Sequence, residues 1–199
     1  MTKAQTSASG AKDLLWPNSR LVQECLKGNE AAWSALIDKF KNLIYSIPLR
    51  YGLPPDDASD IFQAVCLELL SELPRLREPE ALPAWLIRVT YHKCFHWKRD
   101  QQRYFAADSR EAKDEPEGDP REVPQEVVSQ LEREQVLREA LTGLSPRCLQ
   151  LVKMLFFESP ARPYREVATT LGIATGSVGF IRGRCLGRLK KRLEEAGFA

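Results

Sequence analysis

The stretch Tyr164–Leu193, YREVATTLGIATGSVGFIRGRCLGRLKKRL, decides how this chain folds. It opens with a short helical pattern, breaks at Gly172, and resumes as a longer helix. From Arg182 to Arg192 that second helix carries six basic residues and no acid. A helix-turn-helix needs a small residue where its helices cross, a residue tolerant of positive φ in the turn, and an apolar residue closing the core from the second helix. Ala168, Gly172 and Val178 supply these, and Val167, Leu171, Ile173 and Ile181 fill the other inward positions. In such units the start of the second helix enters the major groove, while basic residues contact phosphates and add affinity without reading sequence. Thr175, Ser177, Gly179, Phe180 and Arg182 are therefore expected on a DNA face. Arg184, Arg188, Lys190, Lys191 and Arg192 are expected at phosphates.

Gly179, Gly183 and Gly187 recur every four residues and leave one helix face nearly bare. Each costs about 1 kcal/mol against alanine in a helix interior. The stripe permits close approach to DNA or to another helix. A helix end under little demand for stability reads the same way.

Outward from this stretch, apolar positions recur at helical spacing and no strand alternation appears. A short helix capped by Asn18 or Ser19 should end near Gly28. Asn29 caps a second helix, which Pro48 should kink or end. Pro55, Asp56 and Asp57 open a third, with a stripe at Ile61, Val65, Leu69 and Leu73 widened by Phe62, Cys66 and Leu70. A proline-rich loop or broken turn over 74–83 precedes a long helix over about 83–102. Further helices are expected at 125–142 and at 145–157, the latter capped by Ser145 before Pro146. The fold class is all-α, with two helical domains at 18–103 and 125–199. Residues 1–17 read as a disordered tail, and 104–124 as a flexible acidic linker.

The formal net charge of +2 is nearly neutral, but its distribution is not. Arg88–Arg103 holds five basic residues against one acid, and Asp108–Glu122 holds seven acids against three bases. Two basic segments flanking an acidic one suit a polyanion touched at two places. The five cysteines are scattered, without a C-x-x-C, and read as reduced thiols. No signal peptide and no apolar run of membrane-spanning length are evident, so the expected location is cytoplasmic, without membrane insertion. His92 and His96 have a spacing that can bind zinc, but no H-E-x-x-H accompanies them, and no metal or cofactor is expected. No phosphate loop or nucleophile elbow points to an enzyme.

These residues together resemble the sigma-70 family of bacterial RNA polymerase sigma factors, in its extracytoplasmic-function (ECF) group. Leu144-Ser145-Pro146, Tyr164-Arg165-Glu166-Val167-Ala168, Leu171-Gly172-Ile173 and Gly176-Ser177-Val178 resemble the motifs of region 4. The glycine-rich second helix is similar to that of a subset of the family, which weakens the neglected-helix reading. Asn29 to Trp33, Asp57 to Gln63, and Trp85 to Val89 resemble region 2. Two departures stand out: Ala64 replaces the usual glutamate, and His92 and His96 replace the usual asparagine and aspartate.

The resemblance implies a promoter reader that binds core RNA polymerase through the β′ clamp helices and the β flap and initiates transcription by melting DNA. Asp57, Asp60 and Gln63 would meet the clamp. Arg88, His92, Lys93, His96, Lys98 and Arg99 would meet the downstream element, beside Tyr91, Phe95 and Trp97, since single-strand capture combines aromatics with cations. Arg75 and Arg77 would flank the pocket for an extruded base. Trp85 reads as core. An anti-sigma protein is the partner that the family implies. A free-standing helix-turn-helix regulator is the alternative, and it has no use for the region 2 pattern.

Overall fold

The computed structural model describes residues 16–108 and 123–198, with 104–108 as backbone only. Most of the expected tail and most of the expected linker lie outside these residues. Every regular element among the described residues is helical. The chain divides into two compact units, at Gln135/Val136.

The first unit is built on α1 (Asn18–Leu26), α2 (Glu30–Arg50), α3 (Pro55–Glu72) and α4 (Leu82–Asp108). Asn29 caps α2, its side chain accepting from the amides of Ala31 and Ala32 at 3.0 and 3.3 Å. That satisfies amides which the first turn leaves without helical partners. Gly28, at φ +80°, makes the sharp turn before it. Asn18 does not cap α1. Its side chain is buried and accepts from Lys39 Nζ at 2.7 Å. Pro48 does not stop α2, which runs on to Arg50.

Phe40, Leu43, Ile44 and Ile47 of α2 pack with Ile61, Val65, Leu69 and Leu73, and with Leu82, Leu86, Ile87 and Cys94. Leu70 was expected beside that stripe but is 57% exposed. Between α3 and α4 the chain makes two 3-10 turns, Leu73–Arg75 and Pro79–Ala81, the broken-turn form of the expected segment. Phe40 is 1% exposed at the centre of this core. Replacing it with alanine should destabilise the unit by about 3–5 kcal/mol, measurable as a lower urea midpoint.

Two boundaries differ from expectation. α4 continues to Asp108, into the stretch read as linker. The next helix, α5 (Gln125–Thr142), does not belong wholly to the second unit. Its residues through Gln135 fall in the first, where Val128 and Leu131 are buried in the core and Gln135 Nε2 donates to the Lys39 carbonyl at 3.0 Å. Arg50 and Glu134 add an ion pair at 2.6 Å. Spacing alone identified this helix, but which core its apolar face enters is a tertiary matter.

The second unit adds α6 (Pro146–Phe156), α7 (Tyr164–Leu171) and α8 (Val178–Glu195), with a 3-10 turn at Thr175–Ser177. Ser145 caps α6 by accepting from the Cys148 amide at 3.4 Å. Leu144, Leu151, Val152, Met154, Val167, Ala168 and Val178 form the core. Within that core Cys148 and Cys185 are joined as a disulfide, their Cα atoms 5.4 Å apart. This corrects the reading of every cysteine as a free thiol. The two lie 37 residues apart in sequence, and only the packing of α6 on α8 brings them together. Cys25, Cys66 and Cys94 are free, and burial pushes the thiols of Cys25 and Cys94 up to about 11 and 12.

Candidate nucleic-acid and polymerase-binding surfaces

In the second unit, α7 ends at Gly172 in the left-handed conformation, φ +61° and ψ +45°. The Ile173 amide donates back to the Ala168 carbonyl at 3.0 Å, closing the helix end. Ala168 and Val178 are buried on either side of this turn. The result is a short helix, a left-handed turn and a basic helix. Thr175, Ser177, Gly179, Phe180, Arg182, Arg184 and Arg188 are all exposed at its start and along it. Phe180 is 70% exposed and lies 5.8 Å from the Arg184 guanidinium. Arg182 sits over the Tyr164 ring at 6.0 Å, which positions its head beside α7.

A Cβ built on Gly179, Gly183 or Gly187 meets nothing within 4 Å. The stripe is therefore not required by packing within the unit. Lys190 and Lys191 pair with Glu194 and Glu195 at 3.6 and 3.8 Å, and both stay exposed. Arg192, expected at a phosphate, is half-buried, and its guanidinium packs where a Cβ on Gly143 would stand.

In the first unit, α4 presents two faces. Leu86, Ile87, Thr90 and Cys94 point inward, and the Thr90 hydroxyl donates to the Leu86 carbonyl at 2.6 Å. Arg88, His92, Phe95, His96 and Arg99 recur at helical spacing on the opposite side. Lys93 is drawn off that face into an ion pair with Glu68 at 2.7 Å, and Lys98 is exposed at the flank. Of the three aromatics expected beside the cations, Tyr91 packs edge-on against Tyr51 at 5.0 Å. The Trp97 indole donates to Asp57 at 3.2 Å. Phe95 is the one not packed into the core cluster. Trp85 packs against that cluster, as expected. In the turns before α4, Arg75 pairs with Glu72 at 2.8 Å and Arg77 is exposed.

His92 and His96 meet through their Nε2 atoms at 2.8 Å, with rings at 88°. One nitrogen must donate and the other accept, so the contact survives at most one extra proton. Among the described residues, no group of three or more His, Cys, Asp or Glu could hold a metal ion. Desolvation, with His92, Arg99 and Lys93 around it and Asp100 opposing, holds His96 below its ordinary value. A histidine depressed in the folded state takes its proton only below pH 6.5. Stability from this site is present above that value and lost as pH falls through the folded pKa. Positive charge on the face rises over the same interval. Binding of a single-stranded oligonucleotide should therefore strengthen from pH 7 to pH 5.5 at constant ionic strength, and replacing both rings of the pair, His92→Gln/His96→Gln, should remove that dependence.

On α3, Asp56, Asp60, Gln63, Leu67 and Leu70 share the exposed face opposite the core stripe. Leu67 is 70% and Leu70 57% exposed. Asp57, read with Asp60 and Gln63, is not on that face but holds the Trp97 indole. Leu70 was assigned to the inward stripe and Leu67 was given no role. Their angular offset from Ile61, Val65 and Leu69 was the available signal. No helix among the described residues is long and apolar enough to cross a membrane.

Residues 36–104 match the family model described as Sigma-70 region 2. No curated protein sequence matches the chain. The chain is similar in structure to CnrH, solved in complex with the cytosolic domain of CnrY. That likeness has 18% identity and a TM-score of 0.35, covering 93% of this chain and 98% of that one. The matched residues run from within α2 to within α4 and include both outward faces of the first unit. Residues 36–104 are thus similar to region 2 of the sigma-70 family.

Proposed function

We propose that the chain is a sigma factor of the extracytoplasmic-function group that binds core RNA polymerase, recognises two promoter elements and initiates transcription by melting DNA. The observation that carries this reading is one chain holding both a sigma-70 region 2 domain and, after it, a short helix, a left-handed turn and a basic helix. The exposed face of α3, centred on Asp60, Gln63, Leu67 and Leu70, would meet the β′ clamp helices, with Asp57 supporting it through Trp97. The α4 face of Arg88, His92, Phe95, His96 and Arg99 would hold the downstream single strand, one stacking aromatic among cations. Lys93 and Lys98 would flank it, and Arg75 and Arg77 would border the pocket for an extruded base.

The second unit would read the upstream element in the major groove with Thr175, Ser177, Gly179, Phe180 and Arg182. Arg184 and Arg188 would hold phosphates, and the same unit would meet the β flap. An anti-sigma protein would compete for these surfaces, in the cytoplasm.

Transcription in vitro tests this reading. Start sites mapped on a fragment library should appear only when core polymerase and the protein are both present. No protein-dependent starts, with tight DNA binding by the protein alone, would establish the free-standing regulator instead. Arg182→Gln and Arg184→Gln should each weaken holoenzyme binding to duplex promoter DNA. Where the lost contact is to phosphate, the slope of log K against log salt should fall by about one. Unchanged affinity and slope would move the DNA face elsewhere.

A further inference from the structure

Ile181, Leu186 and Leu189 of α8 pack half-buried against the core of its unit, and the fully buried side chains of the helix are Val178 and Cys185. One of those two anchors is covalent: Cys185 is bonded to Cys148 in the first turn of α6. Their Cα separation of 5.4 Å lies within the ordinary span of a disulfide. The two residues are 1% and 5% exposed. A cleft of about 250 Å³ nevertheless reaches them, lined by both cysteines with Ser145, Arg147, Arg184 and Arg188. Its lining holds three arginines and no acid. All three arginines are exposed, so the field at its mouth is positive.

We propose that Cys148 and Cys185 form a thiol–disulfide exchange site, served by this cleft, whose co-reactant is an anionic low-molecular-weight thiol and its disulfide. In the reducing direction the small thiolate attacks one sulfur of the pair and the protein S–S bond breaks. The displaced protein thiolate takes a proton. A second small thiolate then attacks the mixed disulfide, frees the other protein sulfur to take its proton, and leaves as the small disulfide. Two electrons and two protons pass to the protein. In the oxidising direction the small disulfide accepts them. The arginines draw in the anionic reagent and stabilise the attacking thiolate. Oxidation clamps α8 to α6, and reduction leaves α8 held by packing alone, through buried Val178 and half-buried Ile181, Leu186 and Leu189. The proposal concerns the fold of the second unit and stands whether or not that unit binds DNA.

The test uses the full chain equilibrated in mixtures of reduced and oxidised glutathione. The thiol state of Cys148 and Cys185 is read by alkylation and peptide mass. The pair should titrate as one two-electron couple. The oxidised form should resist proteolysis within 136–199 and melt at least about 10 °C above the reduced form in that unit. Arg147→Gln should slow reduction by glutathione about threefold and leave reduction by neutral 2-mercaptoethanol unchanged. Cys148→Ser/Cys185→Ser should melt like the reduced protein, and should it fail to fold, the titration of the unaltered chain decides. A pair that stays reduced at every ratio, or two redox states that melt and cleave alike, would overturn the proposal. An Arg147→Gln effect equal for both thiols would remove the cleft from it.

Discussion

Leu67→Asp/Leu70→Asp will lower the affinity for core RNA polymerase at least about tenfold while leaving the melting temperature within about 2 °C. Both side chains lie on the outer face of α3, 70% and 57% exposed, so neither substitution opens a cavity or strands a buried group. Substitutions away from such features usually stay within ±0.5 kcal/mol. At an interface the arithmetic reverses. Burying a carboxylate against an apolar partner without a counter-charge is costly. Asp60→Ala/Gln63→Ala, on the same face, should weaken the same interaction less, because it removes polar contacts without inserting new charge. Affinity measured by fluorescence anisotropy, with circular dichroism for the fold, separates the effects. Unchanged affinity in both variants would take the clamp contact off this face.

The second large effect concerns the glycine stripe of α8. Gly179→Ala/Gly183→Ala/Gly187→Ala should raise the stability of the second unit, because alanine is favoured over glycine by about 1 kcal/mol at the helix-interior positions 183 and 187, while position 179, in the first turn, adds less. Nothing stands within 4 Å of any of the three added Cβ atoms, so no packing penalty offsets the gain. Upstream promoter binding by the holoenzyme should nevertheless fall at least about tenfold, since close approach of backbone to a ligand is what a bare stripe permits. Stability and binding would then move in opposite directions. A rise in both would mean that the glycines serve no contact, and that the helix is simply one of low intrinsic stability.

The helices were legible because local rules act within a few residues: caps at Asn29 and Ser145, prolines at the start of α3 and α6, and a turn that only a residue at ease with φ +61° fits well. The candidate DNA helix was legible for the same reason, charge and turn chemistry being written in one stretch. What local pattern could not reach were relations between distant segments. Asp57 belongs to Trp97, and Lys93 to Glu68, because α3 and α4 lie side by side. Leu67 and Leu70 are surface residues because the apolar positions of α3 outnumber what one core face takes in. The start of α5 joins the first unit because that unit offers a place for Val128 and Leu131. Cys148 and Cys185 are a disulfide because two helices bring sulfurs together across 37 residues. The sequence by itself determined the helical segments, the turn and the placement of charge, all of which follow from steric and electrostatic preferances of neighbouring residues. Only the tertiary structure decided which face of each helix is spent on the core, and therefore which residues remain to meet a partner, since burial is shared between segments far apart in the chain.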